Sequence, residues 1–131
     1  MPSIRDAMRQ SRGEQLRKAR AAAERLRKAF PSIEQLRIEL SFKDAGSSTP
    51  ADQAHVLYPP APAFFTYRCP CWNCDGEFEL DGAARRAMRP AHRTEVGSLE
   101  CRGSRFSESG SKRPCDLQLN YAITAVRDEV S

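Results

Sequence analysis

Five cysteines constrain the fold of this chain more than any other feature of its sequence. Three of them fall within residues 69–74, in the stretch YRCPCWNCDG, and Cys101 and Cys115 follow downstream. In a chain of 131 residues, clustered cysteines bind a metal, carry out redox chemistry, form disulfides or pack as small hydrophobic side chains. The compartment of the protein and the elements that carry the cysteines decide between these alternatives.

No stretch of the sequence has the character of a secretory signal or a membrane span. The N-terminal stretch MPSIRDAMRQSRGEQLRKAR has no apolar core, and no apolar run approaches the roughly 18 residues that a transmembrane helix needs. We therefore expect a cytoplasmic protein. Disulfides are rare in that compartment, where clustered cysteines more often bind metal or perform redox work.

Positive charge is concentrated at the N-terminus. Residues 1–30 carry nine basic and three acidic side chains, a net charge of +6, whereas the remaining residues carry 12 basic and 14 acidic ones, a net charge of −2. Good helix formers dominate this segment, so we predict a helix over residues 4–30 that Pro31 ends. Its narrow apolar stripe consists of Leu16, Ala19, Ala23, Leu26 and Phe30. Such a stripe suits packing on a domain, a coiled-coil seam or an arm that presents its basic face to nucleic acid.

The pattern changes to short strands after Pro31. Residues 36–43, LRIELSFK, alternate between apolar and polar side chains, as a half-buried strand does. Further strands are predicted at 55–58, 64–68, 77–80, 94–101 and 115–126. We divide the chain into a basic helix over residues 1–31 and an antiparallel β domain over residues 32–131.

Two segments of this domain depart from the strand pattern. Residues 82–89, GAARRAMR, predict a short helix with Asp81 as its N-cap and Pro90 as its end. Residues 102–114 are polar and rich in Gly and Ser, and we predict a mobile loop there.

Two short elements repeat a cysteine, one further residue and a glycine, at residues 74–76 and 101–103. The glycine lets the chain fold back so that backbone N–H groups point at the sulfur. Zinc prefers four tetrahedral ligands, typically thiolates supplied by two such strand-turn elements. The sequence therefore predicts a metal site.

The order of strand, Cys-Pro, Cys, Gly and strand over residues 64–127 resembles the zinc-ribbon fold group. The resemblance implies one structural zinc ion and an α+β protein: a long N-terminal helix, then a mostly antiparallel sheet of zinc-ribbon type with one short helix. It says little about function. The chain departs from the pattern because 13 residues separate Cys101 from Cys115 and because the first half has one cysteine too many.

The surplus cysteine leaves a choice between Cys69 and Cys71. The Cys71-x2-Cys74 spacing is the commoner one, but Cys69 begins a Cys-Pro pair and ends the strand in phase with Phe65 and Tyr67. We favour Cys69, with Cys71 as its alternative. The predicted ligands are Cys69, Cys74, Cys101 and Cys115.

The cysteines allow four other interpretations. An iron–sulfur cluster also takes four thiolates, but none of its usual spacings occurs here. A redox dithiol at residues 71–74 would need a following helix, whereas a strand follows. A zinc deaminase needs an upstream His-x-Glu, and His55 is followed by Val56 and Leu57. Unliganded buried thiols are the fourth interpretation.

We find no catalytic constellation and expect a protein that is not an enzyme. Its partner would be nucleic acid, bound through basic and aromatic side chains, or another protein, bound as an adaptor through the N-terminal helix. We expect neither a membrane nor a small-molecule substrate. The predicted contact residues are Arg5, Arg9, Arg12, Arg17, Lys18, Arg20, Arg102, Arg105 and Trp72.

Overall fold

The structure is a computed structural model that describes residues 4–44, 49–71, 73–107 and 110–127, with side chains from residue 10 onward. Its helices are α1 (Ile4–Ala22), α2 (Leu26–Ala29) and α3 (Asp81–Ala87). Its strands are β1 (Ile33–Lys43), β2 (Gln53–Leu57), β3 (Thr66–Arg68), β4 (Glu77–Glu79), β5 (Thr94–Glu100), β6 (Ser104–Phe106), β7 (Lys112–Pro114) and β8 (Gln118–Arg127). Helices combined with antiparallel sheets form the α+β arrangement that the sequence predicts.

The main sheet has four strands in the order β2-β1-β8-β5, all antiparallel. Strands β1 and β8 form its centre, where Ile38 lies opposite Ile123 and Leu40 lies opposite Tyr121. Apolar side chains alternate along both strands, so one face of the sheet is buried and the other is largely solvated. The fully buried core side chains include Leu26, Leu36, Ile38, Leu80, Leu117, Leu119 and Ile123.

The predicted single helix over residues 4–30 is wrong in its extent. Helix α1 ends at Ala22, and Arg25 has an extended backbone before the short helix α2 begins. The N–H of Leu26 donates to the carbonyl of Ala61 at 2.8 Å, and the N–H of Ala63 donates to Glu24 at 2.7 Å. These long-range backbone bonds replace helical ones, and the kink buries Leu26, so tertiary packing overrides helix propensity here.

The segment predicted to be a loop, residues 102–114, contains two short strands, β6 and β7. Strands β6 and β7 pair antiparallel, with Arg105 opposite Arg113. Gly110, at a φ of +89°, lies in the connection between the strands, where the N–H of Ser107 donates to Ser111 at 2.9 Å. The strands are only three residues long and carry mainly polar side chains, so apolar alternation does not reveal them.

Helix α3 confirms the predicted short helix but not its predicted cap. Leu80 occupies the N-cap position and makes no side-chain capping bond, whereas Asp81 lies in the first turn. A carboxylate there still interacts favourably with the helix dipole. Buried Ala83, Ala84 and Ala87 lie on α3, which packs beside β5 and β8. Among the described residues, no helix is both long and apolar enough to cross a membrane.

Candidate metal centre

Four buried cysteines meet where the two short hairpins, β3–β4 and β6–β7, come together. One sulfur from each of Cys69, Cys74, Cys101 and Cys115 lies within 4.8 Å of all the others. The Cys74 and Cys101 sulfurs are 3.6 Å apart, and the Cys69 and Cys115 sulfurs are 3.9 Å apart. Four thiolates arranged tetrahedrally at a zinc–sulfur distance of 2.3 Å would be about 3.8 Å apart. The spacing of the sulfurs therefore fits one tetrahedral metal ion.

Backbone hydrogen bonds from neighbouring strands fix two of the cysteines. Cys69 directly follows β3, and its N–H donates to the carbonyl of Gly76 at 3.0 Å, which continues the β3–β4 pairing. Cys101 directly follows β5, and its N–H donates to the carbonyl of Leu117 at 3.0 Å. The main sheet and the first hairpin thus each carry one side of the cluster.

The two Cys-x-Gly elements form matching turns. The N–H of Gly76 donates to the Cys74 sulfur at 3.3 Å, and the N–H of Gly103 donates to the Cys101 sulfur at 3.4 Å. These are the N–H···S contacts that the spacing predicts. Hydrogen bonds of this kind stabilise a sulfur in its charged, thiolate form.

The two turns pack directly against each other. A Cβ on Gly76 would lie 2.4 Å from the Cys101 sulfur, and a Cβ on Gly103 would lie 2.4 Å from the Cα of Gly76. Neither position needs a positive φ. Space, rather than backbone conformation, therefore excludes every larger residue at both positions.

A short ladder of hydrogen bonds joins the turns. The side chain of Asp75 accepts from the N–H of Ser104 at 2.7 Å, and the N–H of Phe106 donates to the carbonyl of Asn73 at 2.9 Å. The side-chain amide of Asn73 also donates to the carbonyl of Phe106 at 3.2 Å. Residues distant in sequence are thereby held in register around the sulfurs.

Arg105 lies beside the cluster, with only 8% of its surface exposed. Its Nε donates to the Cys115 sulfur at 3.3 Å, and its Nη2 donates to the Cys71 sulfur at 3.2 Å. The same guanidinium pairs with Asp44 at 3.3 Å and with Asp116 at 3.4 Å. The guanidinium thus divides its polar contacts between two carboxylates and two sulfurs, and a donor of this charge stabilises the thiolate form of a sulfur that it contacts.

The position of Arg105 replaces its predicted role as a partner contact, because a buried side chain cannot reach a partner. Cys71 is half-buried beside Arg105 and does not belong to the group of four sulfurs. Sequence reasoning missed the Arg105–sulfur contacts, and no local pattern could have revealed them, since Arg105 and Cys71 are 34 positions apart.

Hydrogen bonds between the clustered thiols shift their pKa values in opposite directions. Hydrogen bonds from Cys69 and then Cys74 lower the pKa of Cys101 to about 4. Their hydrogen bonds with Cys101 are also the main reason that the pKa values of Cys69 and Cys74 are raised. A bound cation is needed to stabilise several thiolates at once.

The predicted contact residues on α1 have different environments. Arg12 forms an ion pair with Glu77 on β4, and its Nε donates to the carboxylate at 3.0 Å. Arg17, Lys18 and Arg20 are exposed. The side chains of Arg5 and Arg9, and the whole of Trp72, lie outside the described part of the structure. Arg102, next to the second turn, is exposed.

Comparisons of this chain with protein-family models, with curated proteins and with solved structures found no match.

Proposed function

We propose that this protein binds one structural zinc ion through Cys69, Cys74, Cys101 and Cys115, in a fold of zinc-ribbon type. The observation that carries the proposal is the set of four buried sulfurs within 4.8 Å of one another. Backbone N–H groups directed at two of these sulfurs, and the guanidinium of Arg105 directed at a third, support it. Such outer contacts orient metal ligands and tune their basicity.

The distances favour a single ion over an iron–sulfur cluster. Sulfur–sulfur distances of 3.6 and 3.9 Å leave room for one tetrahedral ion. A cluster places several iron atoms and bridging sulfides between its thiolates, and so it requires the thiolates to lie further apart. Among single ions, tetrahedral thiolate sites suit zinc.

The role of the metal would be structural. Four thiolates fill the tetrahedral positions of zinc, whereas a catalytic zinc keeps one position open for water or substrate. The strands beside the cluster, β3, β4, β6 and β7, have only three residues each. Structural zinc supplies on the order of 10 kcal/mol of apparent binding energy, which becomes folding energy for elements this small.

Elemental mass spectrometry on protein purified without chelator tests this proposal. The expected result is one zinc ion per chain and loss of the β signal in circular dichroism when the zinc is removed. A single iron ion would reveal itself by visible absorbance. Full structure in protein that never held metal would refute the structural role.

Nucleic acid is the partner that we propose for this module. The exposed basic side chains of α1 and α2 support this choice, since neutralisation of phosphates supplies affinity for any nucleic acid. These residues are Arg17, Lys18, Arg20, Arg27 and Lys28. Binding of an oligonucleotide at low salt that weakens steeply at higher salt is the expected outcome.

A protein-interaction adaptor is the second candidate, and one observation favours it. Val56, Val96 and Val126 are 38%, 68% and 42% exposed on the outer face of the main sheet. An adaptor would bind no oligonucleotide at any salt concentration. It would show a concentration-dependent mass in light scattering if its partner were a second copy.

A further inference from the structure

A cleft of about 590 Å³ lies between α1 and the first hairpin. Arg17 and Arg20 line its helical wall, and Arg68 lines the opposite wall together with Thr66. Gln53 of β2 contributes a further polar side chain. None of the described residues that line the cleft is acidic.

Three contacts hold the walls of the cleft in place. The ion pair between Arg12 and Glu77 ties α1 to β4. A Cβ on Gly13 would lie 2.9 Å from Nη1 of Arg68, so this guanidinium lies directly against the helix backbone. The guanidinium of Arg20 lies 5.2 Å from the centre of the Phe64 ring, a cation–π distance. The cleft is therefore formed before any ligand arrives.

The three arginines give the walls of the cleft positive charge, and Glu77 and Glu79 of β4, opposite Arg68 and Thr66, partly offset it. The carboxylate of Glu14 lies 4.0 Å from Arg17, but both side chains are more than half exposed, so solvent screens the pair. His55, whose ring stacks on Tyr67 at 4.5 Å, lies close enough to respond to this charge. Burial is the main cause of its lowered pKa, and the positive charge of Arg20 adds to the effect.

We propose that this cleft binds the phosphate groups of a nucleotide, free or within a single nucleic-acid strand. Arginine presents paired donors that match phosphate oxygens, and Gln53 and Thr66 offer further polar groups. A site of this volume accommodates one nucleotide, which favours a single strand over a duplex. The inference rests on the proposed nucleic-acid association and assigns that function to Arg17, Arg20 and Arg68.

Fluorescence anisotropy with a labelled oligouridine of about ten nucleotides tests the proposal. The zinc-loaded full chain is compared with Arg17→Gln and with the double variant Arg17→Gln/Arg68→Gln. Each substitution is expected to weaken binding about tenfold, since it removes a charge-assisted hydrogen bond. It should also reduce the slope of log affinity against log salt by about 0.7.

Arg37→Gln is the matched control, because Arg37 is an exposed basic residue on β1 and does not line the cleft. This control removes the same charge and is expected to change affinity less than twofold, as non-specific attraction does. Metal content and circular dichroism of each variant confirm that it is folded. Arg17 is exposed on α1, so its substitution leaves the core intact.

Competition with uridine monophosphate and with inorganic phosphate distinguishes the sources of the phosphate. Displacement of the labelled strand by the free nucleotide at comparable concentration assigns the cleft to nucleotides, whereas displacement only by unlabelled strand assigns it to a strand. Equal weakening by Arg17→Gln and Arg37→Gln would refute the cleft as the binding site without refuting nucleic-acid binding. If oligouridine, uridine monophosphate and inorganic phosphate all failed to bind, both the cleft and the proposed nucleic-acid association would be refuted.

Discussion

Gly76 and Gly103 are in direct contact, and a Cβ on Gly103 would lie 2.4 Å from the Cα and 2.5 Å from the N of Gly76. Each glycine also donates its N–H to the sulfur of the cysteine two residues before it. The contact between the two glycines therefore sets how closely the two halves of the sulfur cluster approach. A metal ion that needs all four sulfurs depends on this approach.

Gly103→Ala is expected to destabilise the protein and weaken its hold on zinc. The new methyl group would meet backbone atoms that cannot rotate away, and overpacking of this kind costs roughly 1–3 kcal/mol. Urea unfolding of the zinc-loaded protein measures the change in the free energy of unfolding.

Gly82→Ala supplies the control for this prediction. A Cβ at Gly82 meets only the flexible end of Arg86 at 3.3 Å, and alanine is favoured over glycine in a helix such as α3. Its stability should be unchanged or slightly higher. Equal unfolding curves for the two variants would show that the contact between the turns contributes nothing to the free energy of unfolding.

Cys71→Ser is expected to retain one zinc ion per chain, whereas Cys74→Ser should lose it. The Cys71 sulfur contacts Arg105 and lies outside the group of four, while the Cys74 sulfur lies 3.6 Å from that of Cys101. Elemental mass spectrometry on both variants measures the difference. Loss of zinc from Cys71→Ser together with retention in Cys69→Ser would mean that Cys71, and not Cys69, is the fourth ligand.

Local patterns in the sequence predict the turns of this site but not its surroundings. The Cys-x-Gly spacing predicts the N–H···S contacts at Gly76 and Gly103, because these depend on neighbouring residues only. The burial of Arg105 arises from the hairpin β6–β7, whose mainly polar three-residue strands show no apolar alternation. A pattern that concerns one residue and its near neighbours cannot report such long-range pairing.

The same distinction explains the main sheet and the N-terminal segment. Strict alternation in β1 and β8 predicts which side chains are buried, since both strands have one solvated face. The break after Ala22 was not predicted, because it depends on backbone bonds from Leu26 and Ala63 to partners 35 and 39 positions away in the chain. Helix propensity along residues 4–30 depends only on those residues and cannot indicate bonds to these distant partners.

Arg105→Met is expected to weaken zinc binding by about 10- to 100-fold without abolishing it, as the loss of an outer-shell partner does. The variant removes the hydrogen bonds to Cys115 and Cys71 and the ion pair with Asp44. Competition with a chromophoric chelator measures the affinity.

Arg113→Met is the matched control, since Arg113 lies opposite Arg105 in the same hairpin but is exposed. Its zinc affinity should equal that of the unmodified protein. Identical affinities in Arg105→Met and Arg113→Met would contradict a role for the buried guanidinium at the sulfurs.

His55 is expected to make stability fall on mild acidification. Its pKa is lowered in the folded protein from the ordinary 6.5, chiefly by burial, so the unfolded chain binds the proton more readily. The stability that His55 contributes is therefore present above pH 6.5 and is lost as the pH falls through the lower, folded-state pKa.

Urea midpoints measured above and below that pH, in the unmodified protein and in His55→Gln, test the sign. The acid-induced decrease should be smaller in His55→Gln, while His92→Gln, at the other histidine, controls for the substitution itself. A larger decrease in His55→Gln would contradict the assigned direction of the pKa shift.

X-ray absorption at the zinc edge tests the metal site most directly, because it counts the atoms bound to the ion. The four clustered cysteines predict four sulfur neighbours at about 2.3 Å and no nitrogen or oxygen ligand. A shell that contains nitrogen or oxygen, or fewer than four sulfurs, would contradict the closed site formed by Cys69, Cys74, Cys101 and Cys115.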